Sequence, residues 1–391
     1  MKASTPKTAS LRRLAGVALG AALLLLGQAA VSAAAEAPPL LVGVNLPMTG
    51  QVAAFGQMSW AGMQIANQMK PEVLGRPVKL VLVDNKSDNV EAANASSRLV
   101  TKEKAAAVLG PSTSSQVLAA GPISEEHRVP LIAPTATSPI VTQDKNYVFR
   151  VCFIDPFQGV VAARYAYQEL GARKAAILTD IGQDYAVGLT AFFVREFTRQ
   201  GGKVVARVKC STGDQDFSAQ LGTVKAAEPD MLYLPNYYSE DALVARQAQE
   251  LGLAIPILSG DGADAPELLQ IGGKAVEGLT FTSHFHRAGA ASPLGKEFLA
   301  RYDRARAAGQ IQEDITAFHA LGAESYLVLI DAIARAGSSE GPKIRQALAN
   351  TKDFTGITGR ISIGPDGNAV KSATVLKVDN GKFVYVTTIE P

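Results

Sequence analysis

Four consecutive hydroxyl residues, Ser112, Thr113, Ser114 and Ser115, follow an apolar run at 105–109 and a Gly110-Pro111 stop. The run reads as a buried strand, and 116–126 can form a helix with Ser114 or Ser115 as its N-cap. A strand passing through a hydroxyl-rich turn into a helix gathers donors. The first N–H groups of the helix have no intrahelical partner, its positive end faces the same spot, and the hydroxyls add to both. The chemistry is anion binding, although the same serines would serve equally as plain helix caps. A second hydroxyl-rich segment, Pro134-Thr-Ala-Thr-Ser-Pro139, follows the next apolar run at 129–133. His284-x-His286 could present two imidazoles to one side of a strand, but no Cys or His cluster supplies further ligands, so no metal is expected. No Gly-x-Gly-x-x-Gly follows a strand, and there is no Walker loop and no Gly-x-Ser-x-Gly elbow. No cofactor is expected and the chain reads as non-enzymatic. An exported serine hydrolase stays as an alternative, because triad members can come from anywhere in a chain.

The elements that must hold these loops alternate. Strand patterns at 40–44, 78–83, 105–109 and 129–133 alternate with helical patterns ending near Met69, at 90–104 and at 116–126. A second series starts after a strand at 148–153. Its strands lie at 174–179, 202–210, 231–234 and 257–259, and its helices end at Arg199, near Ala227 and at Leu251, with Asp216 a candidate cap. Repeated strand-loop-helix units predict parallel sheets covered on both faces, with ligands at the strand C-termini. Further on, 298–308 and 315–336 read as helices, the second as a packed core helix rather than a membrane span. Gly364-Pro-Asp-Gly367 marks a turn between short strands, and 371–378 with 382–387 closes the chain as a hairpin around Asp379-Asn-Gly381.

The 391 residues are 47% hydrophobic and 19% charged, ordinary globular values with length for two domains. Residues 1–35 read as a cleavable export signal. Lys2, Lys7, Arg12 and Arg13 precede an apolar stretch at 14–27, and Val31-Ser-Ala33 and Ala33-Ala-Ala35 fit small-residue cleavage. Four of the 38 basic residues and none of the 36 acidic ones lie in 1–35, so the remainder carries 34 against 36 and a net charge of −2. Nothing in that balance points to nucleic acid. Cys152 and Cys210 could pair in an oxidising compartment or stay as buried thiols.

Across its mature length the chain resembles the Leu/Ile/Val-binding type of periplasmic solute-binding protein of ABC transporters. The residues that carry the resemblance run in order from Pro47-Met-Thr-Gly50 and Phe55-Gly56 through Leu109-Gly-Pro-Ser-Thr-Ser-Ser115 and Ala133-Pro-Thr-Ala-Thr-Ser-Pro139. Tyr147-Val-Phe-Arg-Val151, Gly213-Asp-Gln-Asp-Phe-Ser218, Ala245-Arg-Gln-Ala248 and Gly364-Pro-Asp-Gly367 continue it. The resemblance implies an α/β fold of the type I periplasmic binding class. Two Rossmann-like lobes with parallel central sheets would be joined by three crossovers around a ligand cleft. One lobe is expected at 38–153 plus 284–368, the other at 154–283 plus 369–391.

It also implies a site. Ser114 and Thr137 would hold a ligand carboxylate, and the Thr135 carbonyl and the Asp261 carboxylate would take its ammonium. Phe55, Tyr185 and Tyr237 would close over it. A zwitterion needs this pairing of donors and a negative acceptor, since a buried charge is tolerated only when paired and hydrogen-bonded. The expected ligand is a small carboxylate, first an α-amino acid with an apolar side chain. The expected protein is periplasmic and monomeric, closes by hinge motion, and hands its ligand to a membrane permease. A sensor of the same fold binding an aromatic acid or amide is the alternative.

Overall fold

Short apolar runs set the sheets of this protein. The computed structural model describes residues 1–4 and 37–391; the rest of the expected export signal lies outside the described residues. Residues 39–391 form one compact unit. Its first elements are β1 (Leu40–Leu46), α1 (Ala53–Met69), β2 (Glu72–Val73), β3 (Arg76–Asp84), α2 (Asn89–Thr101), β4 (Ala107–Leu109), α3 (Ser114–His127), β5 (Leu131–Ala133) and β6 (Val148–Arg150). They build a sheet in the order β2-β3-β1-β4-β5-β6. All its pairs are parallel except β2 with β3. Buried on both faces, β1, β4 and β5 are apolar almost throughout.

The chain then crosses at 151–154 to α4 (Asp155–Gln168), β7 (Lys174–Asp180), α5 (Asp184–Arg199), β8 (Lys203–Cys210), α6 (Ser218–Ala226), β9 (Met231–Leu234), α7 (Tyr238–Glu250), β10 (Ile257–Ser259), α8 (Pro266–Gly272) and β11 (Thr280–Ser283). It crosses back to α9 (Pro293–Ala307), α10 (Ala317–Ala336), α11 (Gly341–Ala349) and a small antiparallel sheet of β12 (Phe354–Thr355), β13 (Arg360–Ile363) and β14 (Ala369–Val370). A third crossing leads to the hairpin β15 (Ala373–Asp379) and β16 (Lys382–Ile389). The second sheet runs β16-β15-β11-β10-β9-β7-β8, parallel from β11 to β8 and antiparallel at the hairpin. Two parallel-dominated α/β sheets linked by three crossovers are the arrangement that the sequence resemblance implies.

Helices α4, α8 and α11 are additions to the elements read from the sequence. In α4 the apolar residues spread around the helix instead of forming one stripe, and α8 and α11 are only seven and nine residues long, so periodicity gives little signal. Helix α10 is long and apolar enough to cross a membrane, but it is nearly all buried and packs in one hydrophobic core with the strands of the first sheet. It packs on α1 at close range through two glycines. A Cβ on Gly62 would lie 2.0 Å from the His319 carbonyl oxygen, and one on Gly322 would lie 2.3 Å from that of Ser59. Gly322→Ala gains about 1 kcal/mol of helix propensity but forces two backbones apart, an overpacking cost of about 1–3 kcal/mol. The clash wins, so urea unfolding should show a lower midpoint. Gly222→Ala, in α6 with open space around it, should move the midpoint up instead. A Gly322→Ala protein as stable as the parent would refute the close approach.

Both cysteines are free thiols, so the pairing weighed from the sequence is absent. Cys152 lies in the core of the first sheet and Cys210 in that of the second.

Candidate functional site

Loops at the C-terminal ends of both sheets face one another. On the first sheet the turn after β4 begins at Gly110, whose φ of +95° and whose Cβ position, 2.0 Å from the Asn45 carbonyl oxygen, admit only glycine. The chain reaches α3 through Ser112 and Thr113. The residue preceding the helix is Thr113, and its side chain makes no capping bond. This corrects the expected cap at Ser114 or Ser115, which are the first helical residues. Their hydroxyls work at longer range. Ser114 Oγ accepts the Ser138 N–H at 3.2 Å. Ser115 Oγ donates to Asp184 Oδ2 at 2.8 Å and accepts the Asp184 N–H at 3.2 Å, across to α5.

The loop after β5 is held from behind by Arg150, fully buried at the end of β6. Its Nη1 donates to the Ala136 carbonyl at 2.7 Å and its Nη2 to that of Ser138 at 2.8 Å. Burial pushes the guanidinium pKa down. The Thr135 hydroxyl donates to the Ser112 carbonyl at 2.7 Å, joining the two hydroxyl-rich loops. The Asp155 N–H, at the start of α4, donates to the Thr137 carbonyl at 3.0 Å.

The second sheet supplies Tyr185 at the start of α5, Tyr237 before α7 and Asp261 in the turn after β10. Asp261 Oδ1 accepts from Gln158 Nε2 at 2.6 Å, and Oδ2 is 2.9 Å from His284 Nε2. Tyr185 OH accepts the Gly262 N–H at 3.2 Å. The Tyr185 and Tyr237 rings stack with centroids 5.4 Å apart, Phe55 meets Tyr237 edge-on at 5.5 Å, and Phe318 stacks on Phe55 at 4.0 Å. Burial raises both tyrosine pKa values, which keeps the phenols neutral.

All seven residues singled out in the sequence, Phe55, Ser114, Thr135, Thr137, Tyr185, Tyr237 and Asp261, line one cavity. Its volume is about 10 Å³, room for about one water and far below the roughly 300–1,000 Å³ of pockets for drug-sized ligands. Ser112 Oγ, Thr137 Oγ1 and Tyr237 OH are buried at its wall and make no hydrogen bond. Buried polar atoms are rarely left so, and three around one cavity mark a place for a polar ligand. No lysine or arginine lines it. An anion there would rely on hydroxyls and the α3 N-terminus. A larger open crevice, lined by Tyr165, Gly252 and Lys274 among others, lies at the opposite ends of β10 and β11 and holds none of the seven.

Three residues at or behind the cavity lie outside the set read from the sequence: Phe318 lines it, and Gln158 and His284 hold Asp261. Phe318 sits in the first turn of α10, where an apolar residue is indistinguishable from core. Gln158 lies on α4, which was not anticipated. In the sequence His284 stands out only as a neighbour of His286. The chain leaves β11 at Ser283, so strand alternation does not extend to them. His284 turns to Asp261, while His286 Nδ1 accepts the Ala288 N–H at 3.3 Å. Among the described residues no serine hydroxyl is hydrogen-bonded to a histidine, and no group of three or more His, Cys, Asp or Glu is placed to hold a metal.

Asp264, three residues after Asp261, ties β11 to α10. Its Oδ2 accepts from Ser283 Oγ at 2.6 Å and from the Ala317 N–H at 3.1 Å. Burial pushes its carboxyl up to about 7 from the ordinary 3.8. The folded state therefore holds this proton more tightly than the unfolded one. The stabilisation is complete below about pH 4 and is lost as pH rises through 7, on the order of 4 kcal/mol in all. Asp264→Asn cannot titrate. The melting temperature of the parent minus that of the variant should fall between pH 4 and 7, and a constant difference would refute the assignment.

The periplasmic binding protein family matches residues 39–382. The Leu/Ile/Val-binding protein BraC3 of Rhizobium johnstonii is 31% identical, over 88% of this chain and 93% of that protein. Among solved structures, a leucine binding protein from Thermotoga maritima superposes with a TM-score of 0.87 at 48% identity, covering 90% of this chain and 99% of its own. A branched-chain amino acid transporter substrate binding protein from Streptococcus pneumoniae, in complex with isoleucine, gives 0.84 at 33%, covering 90% and 100%.

Proposed function

Since the chain belongs to the periplasmic binding protein family, we propose that it captures an α-amino acid with an apolar side chain in the periplasm and presents it to an ABC permease. The observation that carries this reading is the polarity of one small cavity. Hydroxyls and free helix N–H groups stand on one side, a buried carboxylate on the other, and aromatic rings between them. In this reading Ser114, Thr137 and the α3 N-terminus receive the carboxylate. The Thr135 carbonyl and Asp261 receive the ammonium. Phe55, Phe318, Tyr185 and Tyr237 enclose the side chain. The lobes are assigned to 38–153 plus 284–368 and 154–283 plus 369–391, closing about their crossovers. Several contacts bridge the cleft directly, among them Ser115 with Asp184, Gln51 with Glu240 and the Tyr238 hydroxyl on the Gln51 carbonyl at 2.9 Å, and they belong to the closed form.

Calorimetry against leucine, isoleucine, valine, their deaminated acids and benzoate tests the assignment. An amino acid should bind one per chain. At a hundred times Kd it should add about 2.7 kcal/mol to stability, and it should reduce the radius of gyration in solution scattering. Benzoate or a deaminated acid binding more tightly than every amino acid would overturn the ligand class.

A further inference from the structure

We propose that His284 and Gln158 are positioning residues that give the site its selectivity for an ammonium group over an uncharged one. The inference rests on the amino-acid reading of the cavity and concerns residues that do not line it.

The argument starts from the acceptor capacity of Asp261. A carboxylate offers about four lone-pair sites. The protein fills one on each oxygen, from Gln158 Nε2 at 2.6 Å and His284 Nε2 at 2.9 Å. Both bonds come from behind the cavity wall and orient the carboxylate, leaving its other lone pairs for a ligand. Neither donor brings a positive charge. Gln158 is an amide that turns its nitrogen to Asp261, since a carboxylate only accepts, and the same Nε2 reaches Thr282 Oγ1 at 2.9 Å. His284 is fully enclosed, its ring stacked on Phe153 at 3.6 Å, and its Nδ1 has no partner. An imidazolium would need a second acceptor at Nδ1, so the ring is neutral with its proton on Nε2. Burial acts the same way, lowering the His284 pKa. A lysine or arginine in either place would hold Asp261 equally well but would cancel its charge. Two neutral donors add no positive charge beside Asp261, the one carboxyl group facing a cavity lined by no other charged side chain.

Removing one donor frees the carboxylate to rotate, and the ammonium loses its partner while the carboxylate end of the ligand keeps its own. The test measures Kd for leucine and, by displacement, for 4-methylpentanoate, on the parent, His284→Ala, His284→Gln and Gln158→Leu. The parent's preference for leucine checks the underlying reading by itself. Given that preference, His284→Ala and Gln158→Leu should each weaken leucine about tenfold to a hundredfold, the range for one hydrogen bond to a charged group. They should leave 4-methylpentanoate within about threefold on the same scale. His284→Gln, whose amide nitrogen can replace Nε2, should recover most of the loss. Equal weakening of both ligands, or His284→Gln behaving like His284→Ala at an unchanged melting temperature, would mean that these residues merely support the fold and would overturn the proposal.

Discussion

Asp261→Ala is expected to weaken binding of an α-amino acid by about 2–5 kcal/mol, thirtyfold to several-thousandfold. Asp261 is the one charged side chain lining the cavity, and it is buried. Without it a bound ammonium is taken out of water with no anionic partner, the costly side of the asymmetry between making and breaking a buried pair. The loss should be specific. The deaminated acid carries no ammonium and should bind the variant at least as well as the parent, because a repulsion between two anions is relieved. Calorimetry with both ligands measures the difference. If the amino acid binds parent and variant alike, Asp261 does not face the ammonium and the ligand belongs among acids without an amine.

Arg150→Met should cost about 2–6 kcal/mol of folding stability. The guanidinium donates to the carbonyls of Ala136 and Ser138, and each buried acceptor left unpaired costs about 1–3 kcal/mol. Methionine fills much of the volume, so the cavity term is small. Arg150→Lys should lie between the two, because an ammonium is a point donor and cannot span two carbonyls as a planar fork does. The loop that these bonds shape carries Thr135 and Thr137, so ligand affinity should also fall, equally for the amino acid and its deaminated acid. That symmetry separates the variant from Asp261→Ala. Urea unfolding followed by circular dichroism reads the stability. A midpoint unchanged in Arg150→Met would mean that the loop holds its shape without the arginine.

How much of this could be read before folding depends on the range of each interaction. The apolar runs of β1, β4, β5 and β10 are local, and they place the hydroxyl loops and the Asp261 turn at strand ends. The cavity gathers Ser114, Thr137 and Asp261 because parallel strands deliver their C-terminal loops to one edge. The fate of the Ser114 and Ser115 hydroxyls was not local. A capping bond was the plausible short-range choice, but the Ser138 N–H and Asp184 compete successfully from distant segments. Arg150 stood in a quoted motif without a role, since its carbonyl partners appear only when the loop folds over it. Phe318 looked like any other apolar residue of α10, and His284 acquires its meaning only from Asp261, 23 residues earlier.

The two cysteines offer a use that has nothing to do with ligands. Cys152 and Cys210 are free and buried, and burial pushes each thiol up to about 12. Alkylation requires an exposed thiolate, so at neutral pH a mild alkylating reagent reaches either residue only when the surrounding structure opens. One thiol sits in the core of each sheet. The labelling rate at each site, resolved by peptide mass, therefore times the opening of one half of the molecule independently of the other. Equal rates would describe a protein that unfolds as a single cooperative body, and unequal rates would name the half that yields first.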